Sequence, residues 1–343
     1  MTAIDITSLN ESAIRYQKDL KMLPYAVMSE VLGAHGMNLL PGIQNKDIIT
    51  NFLRKRGLAR PYAVGLTVDN QDAGKAEESV LTVEKAYASV KDNINNYKKT
   101  VVGPDVLLGK NQSKEHPWQL IMLQTIVRTF GEDLLDALFP GERNLSDISP
   151  LGCFDGFDTI IDALITASKV KTANGNYFPT ETIAKPSGET LDTDTVAFNI
   201  ILDFYQHAHK MLRQAESRLY LPFDLGDAYD MAYFNKFKFK PTMDNYGRSI
   251  LEGSGGKCTI VRSAIMGTGQ RIILTVPGNF DFGMNTLGDE DFIQVRNPYE
   301  DPNEIQFWIQ GDYGCRIRSY HEKAFLVNDG SPVANALSGD YVS

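Results

Sequence analysis

Hydrophobic and polar positions along the chain change period several times, and each change predicts a different element. Met1 to about Ser12 is polar and reads as a loose arm. From Glu11 to Gly33 the apolar residues Ile14, Leu20, Leu23, Val27, Val31 and Leu32 recur every three to four positions, which predicts helix. Pro24 lies inside that run and removes a backbone donor, so two short helices or a kinked one are expected, ended by Gly33 with Gly36. Asn45 to Gly57 repeats the signal on a smaller scale, with a polar start, Ile48, Ile49, Phe52 and Leu53, and a basic last turn; it predicts a second short helix. The period then falls to two. Within Leu58 to Leu108, PYAVGLTVDN and SVLTVEKAYASV alternate as strands do, with NQDAGKAEE between them as a polar tip. Such a long hairpin has few apolar partners nearby in sequence, so it is expected to lie on another molecule or on a distant part of the chain.

The period returns to helical at Trp118 to Phe139. Leu123, Val127, Phe130, Leu134 and Leu138 make one stripe, Pro117 suits the first turn, and Pro140-Gly141 stops the helix. ERNLSDISPLG reads as a linker and a domain boundary. Asp155 to Ser168 predicts an amphipathic helix with Phe157, Ile160, Ile161, Leu164 and Ile165 inward. Asp192 to Ser217 predicts one long helix carrying Val196, Ile200, Phe204, Ala208, Met211 and Ala215 in register. LYLPFD reads as a short strand and LGDAYDMAYFNKF as a helix with an aromatic face. Between Lys257 and Val327 the segments KCTIVRSAI, RIILTVP, DFIQVRN, EIQFWIQG, YGCRIRSY and EKAFLV predict a meander of short strands with a polar face. MGTGQ, GNFDFG, NPYEDPN and GD supply its turns.

Composition narrows the function classes. The 343 residues give a prior of about two domains. A hydrophobic share of 43% and a charged share of 22% are ordinary for a globular chain. The net charge of -9 argues against a dominant basic surface and against tight nonspecific nucleic-acid binding. Local basic runs remain at Lys98-Lys99 and Lys236 to Lys240. Cys153, Cys258 and Cys315 are far apart and form no CxxC pair, which argues against a disulfide framework or a zinc site. The first twenty residues lack the apolar stretch of a signal peptide, and LIMLQTIV is too short to span a bilayer.

Candidate chemistry is sparse, and neither a catalytic residue nor a cofactor or metal site is expected. His207 follows Asp203 by four residues on a helix, so both could meet one metal, but His209 points to another face and no third ligand completes the set; a solvated helix surface is the plainer reading. Gly253 to Gly256 and Gly267 to Gly269 precede strands and so read as turns, not phosphate loops. The acidic pairs Glu132-Asp133 and Asp289 to Asp291 read as solvated faces, and no GxSxG elbow occurs. Tyr229, Tyr233, Phe234, Phe237 and Phe239, interleaved with Lys236, Lys238 and Lys240, read as core more than as a stacking surface.

The order of these parts resembles a tailed-bacteriophage major capsid protein, a coat fold shared with encapsulin shells. Three phrases carry the likeness. Ile260 to Thr275 followed by Gly278 to Gly283 resembles a strand, turn, strand, Asn-aromatic-x-x-Gly passage of such proteins. Gln306 to Ile317 followed by Lys323 to Val327 resembles their final strands. Phe154-Asp-Gly-Phe157 before a helix resembles axial-domain openings in coat proteins of phages and prophages of gut Bacteroidetes. The resemblance implies an α+β fold with an N-terminal arm, an extended β-hairpin loop, a peripheral domain built on a long spine helix, and an axial domain. On that pattern residues 1–57 are the arm region, 58–109 the extended loop, 110–150 with 288–343 the peripheral domain, and 151–287 the axial domain. It also implies that strand Glu322 to Val327 pairs with strands flanking the spine helix.

The implied function is structural, not enzymatic: a virion protein that self-assembles with copies of itself, as hexamers and pentamers, into an icosahedral shell around double-stranded DNA held without sequence-specific contacts. The shell is built in the bacterial host cytoplasm, with portal and scaffolding proteins as further partners and no membrane. Some such proteins join a loop lysine to a neighbour's asparagine; Lys98, Lys99 and Asn95 lie in that region but nothing in the sequence marks them for it. The alternatives are an encapsulin-like nanocompartment shell, a tail component, and a metal-dependent enzyme around Asp203 and His207.

Overall fold

Gln17–His35 forms a single helix, α1, straight through Pro24. The chain is seen here in a computed structural model that describes residues 15–54, 74–93, 118–179, 196–243, 248–266, 269–285, 293–296, 304–328 and 330. A proline deletes one donor from the ladder, and Pro24 is buried, so packing carries the helix past it as one element instead of the two expected. Gly33 lies within the helix. Gly36 ends it in the left-handed conformation, and its N–H reaches back to Gly33 O at 3.1 Å.

β1 (Asn38–Pro41) and β2 (Lys46–Arg54) follow. β2 occupies the segment expected as a second helix. Ile48, Ile49 and Thr50 are β-branched in succession, and the segment pairs antiparallel with β3 (Gly74–Thr82) over nine rungs, from Lys46↔Thr82 to Arg54↔Gly74. The expected hairpin therefore exists with a different first strand. GKAEE, expected as its tip, belongs to β3, and PYAVGLTVDN lies outside the described residues, as do the N-terminal arm and Asn95, Lys98 and Lys99. β4 (Glu84–Asn93) continues from β3 after Val83.

α2 (Trp118–Asp136) and α3 (Phe157–Thr166) stand where expected, with Leu123, Val127, Phe130, Leu134, Leu138, Phe157 and Ile161 all buried. The expected long helix is broken into α4 (Val196–His207) and α5 (Lys210–Gln214). His209 is extended at ψ 140, and its Nδ1 accepts the Met211 N–H at 3.1 Å, capping the second piece. The buried face carries Ala197, Ile201, Phe204, Tyr205, Ala208 and Leu212, while Met211 is exposed.

β5 (Ser217–Pro222), α6 (Phe223–Phe237), β6 (Cys258–Ser263), β7 (Ile273–Thr275), β8 (Phe280–Asn285), β9 (Ile293–Arg296), β10 (Glu304–Ile317) and β11 (Phe325–Val327) complete the described elements. GNFDFG, expected as a turn, supplies most of β8. Two expected strands merge into β10, which runs through Gly311-Asp312 without a break.

These strands are not a meander. One sheet has the order β1-β8-β10-β4, with β9 also on β10; β1 joins β8 in parallel and the remaining pairs are antiparallel. A second has the order β11-β7-β5-β6. β11 thus pairs with β7, not with strands beside α2 as expected.

That second sheet is a wall between two hydrophobic cores. In every strand alternate residues enter alternate cores. Tyr220, Val261, Ile273, Phe325 and Val327 join the first, with α1, α2, α3, β8 and β10. Leu219, Leu221, Ile260, Leu274 and Leu326 join the second, with α4, α5 and α6. The polar face expected for these strands is absent because both faces are covered, so the sequence reads as a near-continuous apolar run.

One buried arginine ties this wall to α3. Arg271, just before β7, is 1% exposed. Its Nη2 donates to Asp162 Oδ1 at 2.7 Å and its Nη1 to Asn328 O at 3.2 Å, while its Nε stands 3.6 Å from Asp158 Oδ1, beyond hydrogen-bond reach. Neither Asp158 oxygen has a hydrogen-bond partner among the described residues. Burial, opposed by Arg271 and reinforced by Asp162, pushes the Asp158 carboxyl up from 3.8 to about 7. The folded chain therefore keeps a proton that the unfolded chain has released, and this group lowers stability as pH rises from about 4 to about 7. Urea unfolding of wild type and Asp158→Asn across that range checks it: wild type loses stability relative to the variant, by a few kcal/mol in all (~1.4 kcal/mol per pK unit). Parallel curves contradict the assignment.

Candidate functional site

The paired strands β2 and β3 form their own two-stranded sheet, so the point where they join the body decides where the hairpin aims. That point is built around Asp281 of β8. In register, Asn38, Asp281 and Arg316 lie side by side across β1, β8 and β10. Asp281 is 0% exposed, and its carboxylate collects donors from both neighbouring strands. Arg316 Nη2 and Nε donate to Oδ2 at 2.7 and 3.1 Å, Arg318 Nε donates to Oδ1 at 2.7 Å, and Asn38 Nδ2 donates to Oδ1 at 3.0 Å.

Arg316, itself 1% exposed, also reaches the hairpin: its Nη1 donates to Asp47 Oδ2 at 2.8 Å and to Asp47 O at 3.1 Å. The hairpin answers with two donors of its own. Ser79 Oγ donates to Ile317 O at 2.6 Å, and Asn51 Nδ2 donates to Arg318 O. Leu81, fully buried, fills the space beneath. At Gly314 a Cβ would stand 2.1 Å from Thr82 O, so only glycine lets the β3–β4 bend press this closely on β10.

None of these residues was a sequence candidate. Asp281 sat in a segment read as a turn, and Asp47 in one read as helix. The available signal was Arg316-x-Arg318: two arginines at strand spacing in an apolar strand need a buried acid, though the sequence does not say which.

The sequence candidates do not converge. Asp203 and His207 meet, with His207 Nδ1 2.9 Å from Asp203 O and 3.4 Å from Asp203 Oδ1, but the imidazole is stacked on Phe178 at 3.8 Å. His209 lies beyond the helix break and turns its Nε2 to Glu322 Oε1 at 3.6 Å. Among the described residues no three His, Cys, Asp or Glu side chains are grouped to hold a metal ion. The cysteines are all free. Gly253, Gly255 and Gly256 have positive φ in the turn before β6, while Gly267 and Asp289 to Asp291 lie outside the described residues. Glu132 pairs with Arg128 at 3.2 Å on the exposed side of α2.

The aromatic segment of α6 divides. Tyr229 is buried against Phe198 at 5.7 Å, as core. Phe234, Phe237 and Phe239 are exposed, contrary to the core reading, because α6 ends at Phe237 and the lysines between them hold the end of the helix in water. Lys236 Nζ lies 4.7 Å from the Phe198 ring. A second exposed aromatic surface lies on the open face of β4 and β10, where Tyr87 stacks on Trp308 at 4.7 Å. Among the described residues no helix is long and apolar enough to cross a membrane.

No protein-family model matches the chain, and no curated protein matches it. Solved structures do. A chain of the satellite phage P4 procapsid, in a structure that includes the size determination (Sid) protein, is similar at a TM-score of 0.55 and 11% identity, over 89% of each chain. The capsid of the native GTA particle is similar at 0.48 and 11%, over 87% of this chain and 88% of that one. The mature capsid of bacteriophage PhiM1 is similar at 0.44 and 11%, over 86% and 85%. At such identity the likeness is one of fold: the α+β architecture is that of a phage capsid subunit.

The two carboxylates at the hairpin root differ in burial, and so in the effect of neutralising them. Asp281→Asn strands two arginines and lowers the unfolding free energy in urea by about 3–5 kcal/mol. Asp47 is half-exposed, so Asp47→Asn costs about 1 kcal/mol or less. It nonetheless speeds amide exchange across residues 46–54 and 74–82 ahead of the rest of the chain. Equal losses from the two, or unchanged exchange in the hairpin, contradict this division of labour.

Proposed function

We propose that this chain is a coat subunit that assembles with copies of itself, as hexamers and pentamers, into a closed shell around double-stranded DNA. The observation that carries the reading is the pairing of a phage-procapsid fold with a hairpin joined to the body by a stiff polar root. The hairpin leaves an apolar rung half-exposed: Ile48 and Val80 are cross-strand partners at 55% and 43% exposure. A limb of this kind gains burial from a neighbour that one subunit cannot supply. The extended loop then begins at Lys46, not at residue 58. α2 serves as the spine helix of the peripheral domain, and the second core with α4, α5 and α6 serves as the centre of the axial domain.

The role is structural and not catalytic. The charge of -9 suits a wall that encloses DNA without gripping it, the genome being driven in by a separate machine through a portal. Scaffolding proteins are further partners in this reading, the place of work is the virion, and assembly takes place in the host cytoplasm. An enzyme-loaded nanocompartment would use the same fold, but the likeness to a phage procapsid favours the genome shell.

Negative-stain electron microscopy and sedimentation velocity of the purified chain, over a range of salt and protein concentration, test the reading. Rings or closed particles are expected. A protein that stays monomeric in every condition, with residues 46–82 resistant to protease in that monomer, overturns it.

A further inference from the structure

α3 buries one face and leaves another open. Phe157 and Ile161 enter the first core, while Ile160 and Leu164 are half-buried and Ala163 and Ala167 are exposed. A hollow of about 330 Å³ lies over that second face, from Thr159 to Ala167. It runs into a deeper groove of about 320 Å³ between α3 and β3, whose rim carries Glu78, Glu84 and Asp155. The floor of the hollow is apolar, and two alanines stand where long side chains would fill it. Its charged lining residues sit at the two ends, Asp155 at one and Lys169 at the other.

The chain passes close to this helix at Gly330. Gly330 is buried, and its backbone is pressed on that of Arg271: a Cβ there would stand 2.4 Å from Arg271 N and Cα. Arg271 in turn reaches Asp162, the residue before Ala163, at 2.7 Å. Asn328 fixes the approach, since its Oδ1 accepts the Ile272 N–H at 2.7 Å and its Nδ2 donates to Gln270 O at 2.9 Å. Thirteen residues follow Gly330, reading SPVANALSGDYVS, and they lie outside the described residues. Extended, they span about 43 Å at ~3.3 Å per residue, while the hollow is about 12 Å long at ~1.5 Å per helical residue. Reach is therefore ample.

The chemistry of the tail matches the hollow. Val333, Ala334, Ala336 and Leu337 are apolar and mostly small, as an alanine floor requires, and the first charge in the run is Asp340. The acidic rim of the deeper groove repels that carboxylate, and Lys169 at the far end attracts it. We infer that the tail folds back over α3 of its own chain, with Val333 to Leu337 seated on Ala163 and Ala167 and Asp340 placed at Lys169. The tail is then a strap. It covers the face that the body leaves open and holds down the helix whose Asp158 and Asp162 flank Arg271. This inference does not depend on the shell reading, because a strap on its own chain is present in a monomer.

Limited proteolysis and amide hydrogen exchange test it, on dilute protein that sedimentation shows to be monomeric. Three forms are compared: wild type, a chain ending at Gly330, and Ala163→Arg with Ala167→Arg. The arginines fill the hollow at exposed positions and suit a helix. Circular dichroism melts establish that each form is folded. Chymotrypsin cuts wild type slowly at Leu337 and Tyr341, and the double-arginine variant at least about tenfold faster, because its tail is displaced. Ending the chain at Gly330 speeds exchange across residues 159–169 by a similar factor and leaves residues 118–136 unchanged. A synthetic peptide of residues 331–343, added to that shortened chain, slows the exchange again.

Equal cleavage of wild type and the double-arginine variant overturns the inference, and so does unchanged exchange across residues 159–169 in the shortened chain. If protection of the wild-type tail rises with protein concentration, the tail lies on a second copy and the same-chain assignment is wrong. Should the shortened chain fail to fold, the cleavage comparison decides alone.

Discussion

A carboxylate with no exposed surface sets the geometry of this fold. Asp281 lies in the middle of the β1-β8-β10-β4 sheet, where an unpaired charge would cost several kcal/mol. Its donors come from Asn38, Arg316 and Arg318, so β1 and β10 are held at one register relative to β8. Slippage by one residue would carry every apolar side chain of β10 to the wrong face and leave the carboxylate unpaired. Arg316 then carries the constraint outward, because its remaining nitrogen fixes Asp47 and with it the hairpin. Apolar contact alone would not fix an angle so well, since it has no direction. A guanidinium fork does, because its donors lie in one plane at fixed angles. In the proposed shell, a hairpin that must meet a neighbour in one orientation gains from such a root.

The wall sheet extends the same rigidity to the second core. Neighbouring residues of β5, Leu219 and Tyr220, face different cores, and Tyr220 Oη also donates to the carbonyl of His35 at the end of α1. The two cores cannot slide past one another without disturbing a shared strand, and Arg271 clamps the wall to α3 as well. The body is therefore tied into one block beneath a directed hairpin.

How much of this was legible follows from where the information lay. α2, α3 and α6 could be read because each has a single buried stripe, and a stripe is a local pattern. β2 was misread because Ile48, Ile49, Phe52 and Leu53 satisfy a helical period equally well, and the nine-rung partner that decides the matter lies some thirty residues away. β8 hid in a turn-like string because its Asn and Gly positions serve the close approach of strands. The break at Ala208-His209 turns on one backbone angle and one capping nitrogen. The existence of a hairpin was therefore legible, but its root was not: Asp281, Arg316 and Asp47 are 35 and 269 residues apart in their two contacts and meet only through register.

The exposed surfaces raise a question of balance that bears on assembly. In the proposed shell, copies with a charge of -9 repel one another, so association there cannot rest on bulk attraction and must come from local matches. An exposed apolar rung such as Ile48 and Val80 offers about 25 cal/mol for each Å² it buries, enough for a weak contact and too little for a permanent dimer. Weakness is useful in a closed shell. Contacts that are individually reversible let misplaced subunits leave, while closure multiplies them until no single loss opens the structure. On this view the stiff root and the weak contact surface work together, since weak contacts add up only when every copy presents them at the same angle.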